Sequence, residues 1–170
     1  MNLGEIDYQK LIHIIIGGLI YLLGVLLLDA LVQSIAYWIF RNTGIGGVLA
    51  YEEAQNAYYI IILGATYLSS GFLGGLYTGY KIKEKLKLIM MFPSIIGFPL
   101  TFIPYYFFGY QVTLFSYLTP AGLASLSNLT KIIIIPMLIS LSGSYLGGYT
   151  INWEIEEVVE EKISLLLEES

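Results

Sequence analysis

Residues 57–80, AYYIIILGATYLSSGFLGGLYTGY, run for 24 positions without a charged side chain. A helix rises about 1.5 Å per residue, so this stretch is long enough to cross the ~30 Å hydrocarbon core of a bilayer. Gly71, Gly75 and Gly79 recur at a spacing of four, which puts them on one helix face where a second backbone can come close. The stretch ends in a cationic run, in which Lys81, Lys83, Lys85 and Lys87 follow at alternate positions. Such a run fixes the orientation of a span and meets anionic lipid headgroups.

The remainder of the chain is built from more segments of this kind. Only 12% of residues are charged and 56% are hydrophobic, against about 25% charged in soluble domains. The absence of cysteine excludes disulfides, thiolate-ligated metals and thiol catalysis. The net charge of -5 conceals a segregation: seven of the thirteen acids lie between Glu154 and Glu169, and four of the eight bases between Lys81 and Lys87. No basic patch suited to a nucleic acid exists.

Four spans are expected. The first covers 11–28, about 27 Å of helix, and its apolar pattern continues past Asp29 to residue 40. An acidic start and the lack of a small-residue cleavage pattern set it apart from a signal peptide. A helix over 11–40 outruns the bilayer, so its far end tilts, bends or lies at the interface, where Tyr37 and Trp38 beside Arg41 suit an aromatic belt. Residues 42–56 read as a glycine-rich loop. The second span is 57–80. The third, 88–110, carries Pro93, Pro99 and Pro104 and reads as a kinked helix or as two pieces meeting near Pro99. Thr119 before Pro120 marks the start of a short interfacial or re-entrant helix over 120–129. The fourth span is 132–150. Beyond it, residues 151–170 place Ile151, Ile155, Val158, Val159, Ile163 and Leu166 on one stripe with glutamates opposite, an acidic amphipathic helix.

With the N-terminus in the cytoplasm, Lys10, the four lysines of 81–87 and Lys162 lie inside, and Arg41 and Lys131 outside. The six-to-two ratio supports four spans with both termini cytoplasmic. The fold class is therefore an all-α polytopic integral membrane protein of the cell membrane: a four-helix transmembrane domain over 1–150 and a cytoplasmic amphipathic helix over 151–170.

A second small-residue face comprises Ser140, Gly143, Ser144, Gly147 and Gly148. Both faces read as helix-packing surfaces, within the bundle or between protomers, in preference to a pore lining. Ser70-Gly71 recurs as Ser142-Gly143, Leu73-Gly74-Gly75 as Leu146-Gly147-Gly148, and Ile15-Ile16-Gly17 as Ile95-Ile96-Gly97, which suggests a duplicated helical hairpin. Asp29 is the one acid in an apolar stretch. Lying 18 residues beyond Leu11, it is expected at the outer interface. The competing reading puts it, with Gln33 one turn later, on a proton or cation path. His13 has no neighbouring ligand for a metal, and no nucleophile or phosphate-binding motif is present. No cofactor and no enzymatic activity are expected.

The glycine-rich spans GFLGGLYTGYK and SGSYLGGYT resemble those of small archaeal multispanning membrane proteins without assigned chemistry. That resemblance implies a fold type and no function. The functional expectation is a non-catalytic accessory or self-associating subunit, acting through helix packing on itself or on a membrane-protein partner. The alternative is a small-solute or ion channel or transporter with Asp29 on the pathway.

Overall fold

The computed structural model of the chain describes residues 8–43, 51–82, 88–108 and 126–168. Residues 120–125 of the re-entrant helix expected over 120–129, Lys83, Lys85 and Lys87, and the side chains of the stripe after Ile151 lie outside the described residues. Among the described residues every element is helical. Three helices are long and apolar enough to cross a membrane (Tyr8–Ile39, Asn56–Lys81 and Leu126–Ile151), and a shorter apolar one covers Ile89–Pro104. This is the architecture of a helical membrane protein.

Helix α1 (Tyr8–Thr43) is continuous for 36 residues, about 54 Å, and passes through Asp29 without a break. The loop expected over 42–56 is shorter at both ends. Asn42 Nδ2 donates to the Trp38 carbonyl at 2.8 Å, closing the last turn of α1, and the helix-forming residues of YEEAQNA start α2 (Tyr51–Ile62). A π-helical segment (Leu63–Leu68) joins α2 to α3 (Ser69–Lys81). The third apolar stretch opens with a 3-10 turn (Ile89–Met91), continues as α4 (Phe92–Leu100) and resumes as α5 (Phe102–Phe108). Its break falls at Thr101, two residues past the expected Pro99. Pro99 sits inside α4, whereas Pro104 has no N–H to offer the Leu100 carbonyl, so the turn opens just before it. Thr101 closes the end of α4, its backbone N–H reaching Gly97 O and Phe98 O at 3.2 and 3.1 Å and its hydroxyl reaching Phe98 O at 2.6 Å. The chain then forms α6 (Leu126–Leu129), a second π segment (Thr130–Ile134) and α7 (Ile135–Glu168). No helix break separates the apolar part of α7 from residues 151–168.

Contacts across the glycines fix the direction of each helix. A Cβ on Gly71 would strike the Ser140 carbonyl and one on Gly75 the Ser144 carbonyl, while Gly79 faces Gly148 at 2.9 Å. Both sequence positions rise together, so α3 and α7 are parallel. A Cβ on Gly24 would lie 2.9 Å from Ser70 Oγ and one on Gly74 2.9 Å from the Gly17 carbonyl, which makes α1 and α3 antiparallel. A Cβ on Gly17 would lie 3.1 Å from Pro93 and one on Gly97 would strike the Tyr21 ring, which makes α1 and α4 parallel. Helices α1 and α7 therefore stand at opposite corners, each packed on α3 and α4.

The α3–α7 seam is reciprocal. Gly143 covers the Leu68 carbonyl and Gly147 the Phe72 carbonyl. Matching Gly71 to Gly143 and Gly75 to Gly147 turns each contact into its partner, as a pseudo-two-fold axis along the helices would. This is the register at which Ser70-Gly71 repeats as Ser142-Gly143.

A methyl group at Gly75 has no space against backbone atoms, whereas Gly64 has nothing within 4 Å. Gly75→Ala should destabilise the fold by about 1–3 kcal/mol, and Gly64→Ala should be neutral or mildly stabilising. Thermal unfolding of both variants in detergent measures the difference, with a lower melting temperature for Gly75→Ala only.

Candidate functional site: a buried acid in a column of hydroxyls

On α1 the residues at every fourth position from His13 are Gly17, Tyr21, Val25, Asp29 and Gln33. Four residues make slightly more than one turn, so this stripe stays near one face. That face looks into the bundle: Tyr21, Val25 and Asp29 are all 0% exposed, while Leu19, Leu23, Leu27, Leu31 and Ile35 on the opposite side are exposed. The outward face carries large apolar side chains and the inward face small or polar ones. This inverts the pattern of a soluble helix, as a lipid solvent requires.

Asp29, expected at the outer interface, is completely buried between the helices. The cause lies in the register of α1. Gly24 packs on Ser70 of the antiparallel α3, so Asp29, five residues on, is level with residue 65 in the π segment. That point is nine residues inside the apolar helix starting at Asn56, about 14 Å along its axis. The length argument from Leu11 measured α1 alone and ignored where its partner holds it.

Gln33 Nε2 donates to Asp29 Oδ2 at 2.7 Å, the short distance of a charge-assisted bond. Val25 and Val32, on either side of Asp29 along α1, belong to one buried apolar cluster with Tyr21, Ile62, Leu63, Tyr67, Phe98 and Ile132. The Tyr67 hydroxyl is within electrostatic reach of Asp29, Tyr21 and Tyr59. Its ring packs on Phe98 (centroids 6.1 Å apart), and Phe98 packs edge-on against Phe102 at 6.0 Å. At the near end of the site the Tyr59 hydroxyl donates to the Lys131 carbonyl at 2.7 Å, tying α2 to the second π segment.

Away from Asp29, polar groups continue along the bundle axis at about one per helical turn. Tyr21 crosses the diagonal from α1 to α7, its hydroxyl 2.8 Å from Ser140 Oγ. Ser140 Oγ donates to the Pro136 carbonyl at 2.7 Å, and Ser94 Oγ donates to the Ser140 carbonyl at 2.8 Å. Further on, Thr78 Oγ1 donates to the Gly74 carbonyl at 2.9 Å, and His13 Nδ1 lies 3.4 Å from the Tyr77 hydroxyl. Four more buried hydroxyls, those of Thr66, Tyr67, Ser70 and Ser144, have no hydrogen-bond partner among the described residues. Buried hydroxyls without protein partners are sites for water or a bound ion.

The structure thus joins Asp29 and Gln33, paired in the sequence reading, and places Ser140 and Ser144 both on the packing seam and in the column. Gly71, Gly75, Gly79, Gly143, Gly147 and Gly148 line seams inside the chain. Lys81 is exposed and stands apart from the column, its Nζ 5.4 Å from the Tyr80 ring centroid. Sequence reasoning missed Tyr21, Thr66, Tyr67, Ser70 and Ser94. The signal for Tyr21 was present in its four-residue spacing from Gly17 and Asp29. No group of three or more His, Cys, Asp or Glu suited to a metal occurs among the described residues. A single carboxylate among hydroxyls matches a proton or a monovalent cation, since divalent ions draw on more charged oxygen ligands.

Tyr67→Phe removes a buried hydroxyl that has no partner among the described residues, so the melting temperature in detergent should hold or rise. Tyr21→Phe removes a bonded one and should cost about 1 kcal/mol, read as a lower melting temperature in the same assay.

The chain matches no known family model, no curated protein and no solved structure.

Proposed function

We propose that this protein carries protons or monovalent cations across a membrane, with Asp29 as the group that binds them. The observation behind this reading is the full burial of Asp29, level with the interior of the second apolar helix. A carboxylate at the middle of a bilayer costs about 2.5–3.5 kcal/mol on insertion scales, and intramembrane acids that persist at this cost serve ion or proton pathways. Gln33 offsets part of the cost by its bond to Oδ2, and the hydroxyls of Thr66 and Tyr67 supply further polar groups at the same level.

In this reading the chain crosses the membrane four times, through α1, α2–α3, α4–α5 and α6–α7, with both termini cytoplasmic. The alternation of helix directions and the six-to-two distribution of bases support that topology. The third crossing is the shortest. Ile89–Pro104 spans about 24 Å, so the bilayer thins around it or α5 completes it.

A role as an accessory or self-associating subunit is the second reading. The small-residue faces that suggested it are occupied within one chain, so they offer no surface to another. What supports it is the length of α7, whose 34 residues make about 51 Å of helix and carry its acidic end beyond the hydrocarbon core.

Reconstitution in proteoliposomes separates the two readings. Under an imposed pH gradient or membrane potential, the wild type should raise proton or alkali-cation flux above that of empty vesicles, and Asp29→Asn should abolish the increase. Flux unchanged in Asp29→Asn overturns the assignment of Asp29, and no flux in the wild type favours the accessory role.

A further inference from the structure

We infer that the species handled at Asp29 is the proton, and that Tyr21 and Ser140 relay it through the middle of the bundle. The inference rests on the transport reading above and narrows its substrate.

The first argument is the space inside the bundle. Tyr21 and Tyr67 are 0% exposed and Phe98 is 2% exposed, and their three rings occupy the centre, where the four passes face one another. The seams around them are shut. A methyl group at Gly24 would lie 2.9 Å from Ser70 Oγ, and one at Gly97 would lie 2.7 Å from the Gly18 carbonyl. Among the described residues these contacts are too close for a hydrated alkali cation to pass, and the partnerless hydroxyls lie on separate helices rather than in one ring. A proton moves by exchange between hydrogen-bonded oxygens and needs no lumen.

The second argument is the nature of the groups. Tyr21 and Ser140 meet hydroxyl to hydroxyl at 2.8 Å, and each can donate and accept at once. Ser140 spends its own hydrogen on the Pro136 carbonyl, so at rest Tyr21 is the donor to Ser140. A proton that reaches the Tyr21 oxygen is matched by the one Tyr21 passes to Ser140 Oγ. Ser140, whose hydrogen at rest is bonded back to the Pro136 carbonyl, turns its O–H away from that carbonyl and releases this proton toward Ser144 on the far side. Each hydroxyl forms one O–H bond and breaks one, with no change in oxidation state and no charge left behind.

The third argument is continuity. Asp29 and Tyr21 are eight residues apart on α1, about 12 Å along the axis, too far for direct transfer. The gap is filled by Thr66, Tyr67 and Ser70, all fully buried and without a protein partner for their hydroxyls among the described residues. Past Ser140, the hydroxyl of Ser144 repeats the arrangement one turn along α7. Groups of this kind hold water, and water completes the hydrogen-bonded line between them.

The test uses the full chain in proteoliposomes with an entrapped pH-sensitive dye, and in parallel with radioactive sodium and rubidium as tracers. Expected are proton entry driven by a potassium–valinomycin potential, slower entry in D2O, and no tracer uptake above that of empty vesicles. Tyr21→Phe and Ser140→Ala should each slow proton entry by at least about tenfold, with unchanged helical content and elution in size-exclusion chromatography. Should Tyr21→Phe fail to fold, Ser140→Ala carries the same test with a smaller change in volume. Tracer uptake that requires Asp29 overturns the proton assignment. Proton entry lost in Asp29→Asn but intact in both relay variants overturns the relay and leaves the Asp29 reading standing. Entry indifferent to all three substitutions overturns both.

Discussion

The close approach of α3 and α7, backbone to backbone, is the constraint from which the rest of the architecture follows. Lipid tails are as apolar as leucine, so burying leucine gains little. What holds membrane helices together is dispersion and weak polar contact at short range. Short range requires the absence of Cβ atoms, and at Gly71, Gly75, Gly143 and Gly147 the facing carbonyls fill the space a Cβ would take. The same pressure leaves the carbonyl of Ser140 within reach of Ser94 on α4 and sets the Ser140 hydroxyl opposite Tyr21 on α1. A seam chosen for contact between two helices thereby gathers polar groups from α1, α4 and α7.

Those polar groups carry an energetic problem that the seam does not remove. A hydroxyl buried in a membrane has no bulk water to fall back on, and several in this bundle bond to carbonyls one turn earlier on their own helix, as Thr78 does to Gly74 and Ser140 to Pro136. Thr66, Tyr67, Ser70 and Ser144 do not. Four such hydroxyls in the interior of one small bundle, all fully buried, would weigh against the fold if they served packing alone. Valine, phenylalanine and alanine would fill the same space without the penalty. Three of them come from residues 66–70 and the fourth, Ser144, lies one turn past Ser140, so all four flank the Tyr21–Ser140 hydrogen bond in the bundle interior.

The helices and the faces they use were legible in the sequence because one residue type dominates the physics. Gly71, Gly75 and Gly79 declare a face by themselves, and Ser140, Gly143, Ser144 and Gly147 declare its partner. The turn at Thr101 was less legible: three prolines lie in that stretch, and only the geometry distinguishes Pro99, carried within α4, from Pro104, which opens the turn before it. The start of α2 was hidden because the glycines of NTGIGG drew the loop boundary past helix-forming residues. The burial of Asp29 was not legible at all. It depends on the offset between α1 and α3, set where Gly24 meets Ser70, and no single segment contains that offset. The hydroxyl column needed the same information, since its members come from four separate helices.

The buried stripes show a common period that bears on the two π segments. Met90 in the 3-10 turn and Ser94 and Phe98 on α4 repeat every four residues, as do Ile132, Pro136, Ser140, Ser144 and Gly148 from the second π segment into α7. The second pass does the same from Leu63 through Tyr67, Gly71 and Gly75 to Gly79. An ideal helix of 3.6 residues per turn lets such a stripe drift by about 40° at each step, so a long one rotates off the face it serves. A π turn places more residues in a turn and slows that drift. In the helix Asn56–Lys81 the π segment covers Leu63–Leu68, and Thr66 and Tyr67 are buried within it while Ser70 and Gly71 face the seams. Regular α-helix over the same residues would rotate the Leu63–Tyr67 part of the stripe further from the line of Gly71, Gly75 and Gly79. The irregular hydrogen bonding is therefore the means by which one helix serves both a packing seam and a polar site, which is the setting in which π turns recur in proteins.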